Sequence, residues 1–229
     1  MTDIKKLEKK IGFTFTKPSL IQSALTHESY LNEHEITHDS YERLEFFGDA
    51  ILEFVASEYI YKHFKKIREG RLTEIRAALV RTETLAKCAK KLELGTYLQL
   101  SKGEEANNGR LNDNILADAV EALIAVIYLD KGIEASRRFF DNFLREEVEE
   151  IVTKELFVDP KSKFQEFVQE KLKVTPQYKL IAEKTEGSDT VFTMGLYVSD
   201  KLISEGDGKN KKIAERNAAI NALGKLSEL

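Results

Sequence analysis

The chain has 229 residues and a mass of 26.1 kDa, room for one large domain or two modest ones. Its 42% apolar and 32% charged residues exclude a wholly disordered chain, and only 12 Gly and 3 Pro exclude a collagen-like or linker-dominated one. A net charge of −4 hides a division: residues 158–229 carry 12 basic and 11 acidic side chains, a net +1, and the remainder carries −5.

The single Cys88 excludes an intrachain disulfide and any zinc site built on several thiolates. Residues 1–6 lack the apolar core of a secretory signal, and no run approaches the roughly 20 apolar residues that span a bilayer. A cytoplasmic protein with no membrane partner is the expectation.

In chain order, residues 20–31 read as a helix preceded by Pro18-Ser19. Leu44, Phe47, Ile51, Leu52 and Val55 recur at helical spacing, and similar stripes run through 72–88 and 139–152. No useful period-2 run occurs up to Leu156, so residues 1–156 read as an all-α domain. Val158-Asp159-Pro160 interrupts the pattern, because Pro disfavours helix in the residue before it. We take 157–160 as a linker.

Residues 161–173 then read as helix. Tyr178, Leu180 and Ala182 alternate with polar residues except at Ile181, and Phe192, Met194, Leu196 and Val198 alternate more cleanly. Ser199-Asp200-Lys201 turns into a short strand at 202–204, and 213–226 is an Ala-rich helix. The expected order over 161–229 is α-β-β-β-α, a small α+β domain with helices layered on an antiparallel sheet.

Two helical segments carry carboxylates where a core belongs. Residues 115–129 are apolar nearly all round, yet Asp118 and Glu121 stack three apart on one face with no Lys or Arg among them. Burying ionised carboxylates unpaired costs several kcal/mol each. In residues 41–53, Glu45 and Asp49 lie four apart among Phe46, Phe47, Ile51 and Leu52, with Glu42 one turn earlier. Gly48 sits inside that helix at a cost of ~1 kcal/mol relative to Ala, which the close approach of another backbone would explain.

Two such pairs suggest one four-carboxylate cluster in a helical bundle. All-oxygen ligation suits Mg²⁺ or Mn²⁺, and neither pair has the Glu-x-x-His spacing of di-iron bundles. The competing structural reading pairs the acids with Arg43, Arg76 or Arg81 across the bundle. Phosphodiester hydrolysis is then one of several metal-dependent reactions open to the site.

Near the end of the chain, Lys209, Lys211 and Lys212 open the last helix, where free N–H groups already favour phosphate. The plainer reading is a solubilising basic turn. His27 reads as a packing residue and Cys88 as a buried thiol. Asn114 or Asp113 is placed to cap the acidic helix.

These residues carry a resemblance. Glu42-Arg43-Leu44-Glu45-Phe46-Phe47-Gly48-Asp49 resembles the signature of the ribonuclease III family. Ala24-Leu25-Thr26-His27-Glu28-Ser29-Tyr30, Glu69-Gly70 and Ile115-Leu116-Ala117-Asp118-Ala119-Val120-Glu121-Ala122 resemble its other blocks, in order. From Pro160 the chain is similar to a double-stranded-RNA-binding domain.

The resemblance implies a homodimeric, Mg²⁺-dependent endonuclease in which Mn²⁺ can substitute and no small organic cofactor is used. It would cut double-stranded RNA to 5′-phosphate and 3′-hydroxyl ends, in processing of rRNA precursors and mRNA. By position, Glu45, Asp49, Asp118 and Glu121 would form the metal and catalytic cluster, with Asp49 and Glu121 essential. Glu42 and Glu69 match further acids of the RNA-binding valley, and Phe46 falls in the dimer-interface helix.

Gln165 and Gln169 match minor-groove contacts, and Lys209, Lys211 and Lys212 a clamp on phosphates across the major groove. One departure concerns the loop at 187–191, where Asp189 stands in place of the family's frequent His and would repel phosphate. Two other functions compete: a non-catalytic double-stranded-RNA-binding dimer, and a metal-carboxylate oxidoreductase, disfavoured by the missing histidines.

Overall fold

The computed structural model describes residues 4–155, 157, 159–186 and 189–225, and of Glu186 and Asp189 the backbone alone. The expectation for the 187–191 loop rests on residues 187 and 188 and on the Asp189 side chain, which lie outside the described residues. The chain divides into two compact units, Met1–Phe157 and Val158–Leu229, each taken by itself below.

The first unit runs α1 (Ile4–Ile11), α2 (Pro18–Ala24), α3 (Glu28–Leu31), α4 (Glu42–His63), α5 (Glu69–Leu79), α6 (Thr82–Lys91), α7 (Lys102–Ala106), α8 (Asp113–Lys131), α9 (Ile133–Phe143) and α10 (Arg145–Thr153). Short 3₁₀ turns at Leu94–Tyr97 and Gly109–Leu111 interrupt the series. The all-α expectation holds among the described residues. One isolated parallel bridge, Thr26 to Gln99, is the exception.

Three of the expected long helices are broken, each for a local reason. In 20–31 the chain leaves the helix at Leu25 so that His27 N–H donates to Gln99 O at 3.0 Å and Gln99 N–H donates to Leu25 O at 2.7 Å. The buried Thr26 hydroxyl donates to Gln22 O at 2.8 Å and reaches Gln99 Oε1 at 3.0 Å, so its polar group is satisfied inside the core. In 72–88 Arg81 is extended (φ −71°, ψ 154°), and the Thr84 hydroxyl donates back to Ala78 O at 2.9 Å. In 139–152 the break falls at Leu144, which is fully buried. Beyond it α10 carries Glu147 to Lys87 and Lys91, each at 2.7 Å.

At the centre of this unit α8 packs on α4. Its residues from Ile115 to Ile127 are buried except Asp118 and Glu121. The helix starts on Asn112, whose side chain accepts from Asn114 N–H at 2.9 Å, so the cap is Asn112 rather than Asp113 or Asn114. It stops at Gly132, whose φ of +79° the other residues rarely adopt. On the facing helix, a Cβ added to Gly48 would lie 1.8 Å from the Glu121 carbonyl oxygen. That is the close backbone approach expected from a glycine inside α4.

The second unit runs α11 (Pro160–Leu172), β1 (Gln177–Glu186), β2 (Asp189–Val198), β3 (Lys201–Gly208) and α12 (Lys211–Leu223), the expected α-β-β-β-α order. Asp159 caps α11 by accepting from Lys161 N–H at 2.9 Å and Ser162 N–H at 3.1 Å, with Pro160 preset in the first turn. The sheet is antiparallel in the order β1-β2-β3. Its register shifts between Leu180 and Ala182, so Ile181 is the extra residue of a bulge. This accounts for the one apolar residue that broke the alternation in β1.

β3 extends beyond the expected 202–204. Ser204 is buried and donates to Ala218 O at 2.7 Å, and a Cβ on Gly206 would meet Ala218 N at 2.1 Å. The strand therefore stays against α12 through Gly206. Phe164 and Val168 of α11 close the core with Leu196, Val198, Ala218 and Ala222.

Gly48→Ala is expected to lower unfolding free energy by at least about 2 kcal/mol in a urea melt, because α4 and α8 must separate. Gly70→Ala in α5, with nothing within 4 Å of the added methyl, should instead stabilise by about 0.5–1 kcal/mol. Equal effects of the two would contradict the close approach of α4 to α8.

Candidate metal centre and nucleic-acid interface

Because α4 and α8 meet at Gly48 and Glu121, their acids share one space. One carboxylate oxygen each from Glu45, Asp118 and Glu121 lie within 4.8 Å of one another, and all three residues are partly buried. Asp49, one turn along α4 from Glu45, is exposed and stands outside that mutual distance. It is close enough for its charge to act on Glu121 and Glu45.

The electrostatics are those of an uncompensated acidic cluster. Burial pushes the Glu121 carboxyl up to about 8, with the charges of Asp49, Glu45 and Asp118 adding to the shift. Burial also raises Glu45, helped by Asp118, Glu42 and Asp49. Asp118 is raised by burial, and Tyr41 and His27 partly offset this.

Among the described residues no Lys, Arg or His makes an ion pair with any of the four acids. Arg43 pairs instead with Asp39 at 3.8 Å, Arg76 donates to Ser57 Oγ at 3.1 Å, and Arg81 pairs with Glu83 at 3.7 Å. The reading in which those arginines neutralise the cluster is therefore not met. An all-oxygen donor set, half buried and without a protein cation, fits a divalent metal ion.

Two neighbours were not singled out from sequence. Tyr41 is 3% exposed, and its hydroxyl is pushed up by burial and by the charges of Asp118, Glu45 and Glu42. It is fixed by its N–H donating to Thr26 O at 2.9 Å and by an edge contact with the His27 ring at 5.6 Å. Its place directly before Glu42 was the available signal. Glu28 lies against Glu42 and raises that carboxyl. His27 caps α3 by accepting from Ser29 N–H at 3.1 Å, in keeping with a structural role.

Glu69 opens α5 and accepts from Thr73 Oγ1 at 3.3 Å, and no interaction among the described residues joins it to the cluster. Phe46 is 81% exposed, and Phe47, Phe54 and Tyr61 leave further apolar surface along α4. Beside Phe46 lies a cavity of about 630 Å³ lined by Leu20, Arg43, Leu44, Phe47 and Leu129. Cys88 is fully buried, as expected, and its thiol is pushed up to about 12 by burial.

In the second unit, Gln165 and Gln169 are exposed on α11 while Phe164 and Val168 of the same helix are buried. Gln169 Nε2 lies 3.5 Å from Thr175 Oγ1. Lys209, Lys211 and Lys212 are all exposed around the start of α12. Asn210 caps that helix by accepting from Ile213 N–H at 2.9 Å, and Lys211 lies 6.0 Å from the Phe192 ring centre.

Comparison with known proteins agrees with this layout. Residues 17–148 match a family described as ribonuclease-III-like, and residues 160–226 match the double-stranded RNA binding motif. The chain is 43% identical over 225 residues to Ribonuclease 3 of Caldanaerobacter subterraneus subsp. tengcongensis, covering 97% of this chain and 98% of that one. It is 39% identical over 220 residues to Ribonuclease 3 of Enterococcus faecalis, covering 95% of each.

Among solved structures, the nuclease domain of ribonuclease III from Campylobacter jejuni superposes with a TM-score of 0.58 at 38% identity. That match covers 63% of this chain and 97% of the other. The chain belongs to the ribonuclease III family, with a nuclease domain followed by a double-stranded-RNA-binding domain. As such it is a metal-dependent endoribonuclease of double-stranded RNA, and the catalytic reading is favoured over a binding-only dimer. No helix among the described residues is long and apolar enough to cross a membrane.

The Glu121 shift fixes a stability prediction. Its folded-state value of about 8 lies above the ordinary 4.5, so the folded protein holds that proton more tightly than the unfolded chain. The contribution of Glu121 to the stability of the metal-free protein therefore falls as pH rises from about 4.5 to about 8. Glu121→Gln should reduce that fall, raising Tm at pH 8 by about 2–4 °C per kcal/mol of strain relieved and leaving pH 4.5 nearly unchanged. Scanning calorimetry in chelator at both pH values checks this, and equal shifts at the two would refute it.

Proposed function

We propose that Glu45, Asp49, Asp118 and Glu121 together hold Mg²⁺, with Mn²⁺ able to substitute, and that Asp49 and Glu121 are essential for hydrolysis. The observation that carries this reading is the cluster itself: partly buried acids from two helices that, among the described residues, no Lys, Arg or His pairs with. When bound, the ion supplies an activated water and offsets charge building on the phosphate. The chain's own contribution is positional. Gly48 sets the α4–α8 spacing, and Tyr41 and His27 bias Asp118 towards its ionised form. Glu42 and Glu69 are assigned to the surrounding RNA-binding valley.

In the second unit Gln165 and Gln169 face the minor groove, and Lys209, Lys211 and Lys212 clamp phosphates across the major groove. The two exposed sets, one polar and one cationic, support that division. Such a surface reads A-form shape and 2′-hydroxyls rather than base sequence. We assign residues 1–156 to the nuclease domain, 157–160 to a linker and 161–229 to the binding domain.

The active form in this reading is a homodimer joined along α4, with Phe46 as an aromatic anchor. The exposed Phe46, the cavity beside it and the similarity to the Campylobacter jejuni domain, described by its region of dimer formation, support it. The products carry 5′-phosphate and 3′-hydroxyl ends, and the cellular role is processing of rRNA precursors and mRNA in the cytoplasm.

Incubation with a long perfect RNA duplex should give short duplexes with 5′-phosphates only when Mg²⁺ is added. Glu121→Gln should still shift the duplex on a native gel yet leave it uncut. Deleting residues 158–229 should leave slow cleavage that survives only at low salt, since the phosphate clamp is lost. Substantial Mg²⁺-supported cleavage by Glu121→Gln, or complete inactivity of a folded, dimeric truncation, would overturn the corresponding assignment.

A further inference from the structure

Lys161 lies four residues before Gln165 and eight before Gln169 on α11. By helical spacing it continues their face, where a lysine beside RNA reads as one more phosphate contact. The structure gives it another partner. Lys161 Nζ donates to Glu215 Oε2 of α12 at 2.6 Å, and the same ammonium sits 4.6 Å from the centre of the Tyr178 ring of β1.

Both members of the pair are partly buried, with side-chain exposures of 36% and 24%. A charged pair shielded in this way, with an aromatic face on one side, is held more tightly than an exposed surface pair. The Tyr178 hydroxyl is itself buried with no hydrogen-bond partner among the described residues, so its ring is placed by packing and by this cation.

The location gives the pair its consequence. Lys161 is in the first turn of α11, one turn ahead of Gln165, while Glu215 is in α12 one turn beyond Lys211. The pair therefore ties the helix bearing the glutamines to the helix bearing the lysines, near the start of each.

We propose that Lys161 and Glu215 are positioning residues for RNA binding, their ion pair across Tyr178 setting the spacing between the glutamine face of α11 and the lysine clamp of α12, and that Lys161 makes no phosphate contact. This rests on the assignment of Gln165, Gln169 and Lys211 to the RNA-facing surface. It carries a sign that simple electrostatics reverses. Removing the negative charge of Glu215 near a polyanion should tighten binding if charge alone governs, and should weaken it if the charge holds the two faces in register.

The test uses the full chain in chelator, with binding to a fluorescent RNA duplex measured over a range of salt concentrations. Lys161→Met and Glu215→Gln should each weaken binding by about 3- to 10-fold, with the salt slope of the unmodified protein. The charge-swapped double variant Lys161→Glu/Glu215→Lys should recover most of that loss. In Mg²⁺, each single variant should raise KM while leaving kcat within about twofold.

Circular dichroism reports folding. Glu215→Asp, which keeps the charge but shortens its reach, should lose affinity without loss of the folded signal, which covers the case in which a neutral variant unfolds. Lys211→Ala is the control for the underlying surface and should lower the salt slope by about 1. If Lys211→Ala changes neither affinity nor slope, the surface assignment fails. If that control behaves as expected, then a drop of about 1 in slope for Lys161→Met, tighter binding by Glu215→Gln, or no affinity loss in Glu215→Asp overturns the positioning role.

Discussion

The contact between Gly48 and the Glu121 backbone is the constraint on which the nuclease domain depends. Glu121 can stand among Glu45, Asp49 and Asp118 only because α4 has no side chain where α8 crosses it. A methyl group there would fall 1.8 Å from the Glu121 carbonyl oxygen, so the helices would part or the backbone would shift. A glycine inside a long helix costs about 1 kcal/mol in propensity. That cost is small beside what the separation would do to a metal site, where shifts of a few tenths of an ångström decide ligation.

The same crossing creates an electrostatic strain that the rest of the domain must absorb. Three partly buried carboxylates face one another, Asp49 stands beside them, and among the described residues no Lys, Arg or His makes an ion pair with any of the four. Around this point the remaining residues of α8 from Ile115 to Ile127 are buried, most of them completely. Elsewhere the domain neutralises its buried acids with care. Glu147, 4% exposed, is held by both Lys87 and Lys91, and these bonds and charges draw its carboxyl below the usual range. At Glu147 the chain supplies its own counter-charge, and among the described residues no Lys, Arg or His pairs with Glu121.

Much of this was legible in the sequence, because it depends on short-range periodicity. The acids of α4 and α8 group by three- and four-residue spacing inside apolar helices, and Gly48 inside α4 points to the crossing. The β-bulge too left a trace, since Ile181 was the residue that spoiled the alternation of β1. What escaped depends on partners distant in sequence. The break after Leu25 is set by Gln99, and the turn at Leu144 brings Glu147 to Lys87 and Lys91. Neither partner is implied by the local pattern. Tyr41 was missed for a related reason: an aromatic next to a charged motif looks like any other core residue until Thr26 and His27 fix where its ring points.

Lys161 shows where spacing misleads and why geometry matters for what the binding domain reads. A lysine on the same helical face as Gln165 and Gln169 would place a fixed charge beside two neutral amides, and that face would follow phosphates. With Lys161 drawn to Glu215 and Tyr178, the exposed groups of the face at these positions are amides, able to donate and accept at 2′-hydroxyls and base edges. Lys209, Lys211 and Lys212 stand exposed around the start of the other helix. An A-form duplex offers hydroxyls in its wide minor groove and phosphates across its narrow major groove. In the reading proposed above, the glutamine amides meet the hydroxyls and these ammoniums the phosphates, so that a domain of net charge near zero would select duplex RNA by shape.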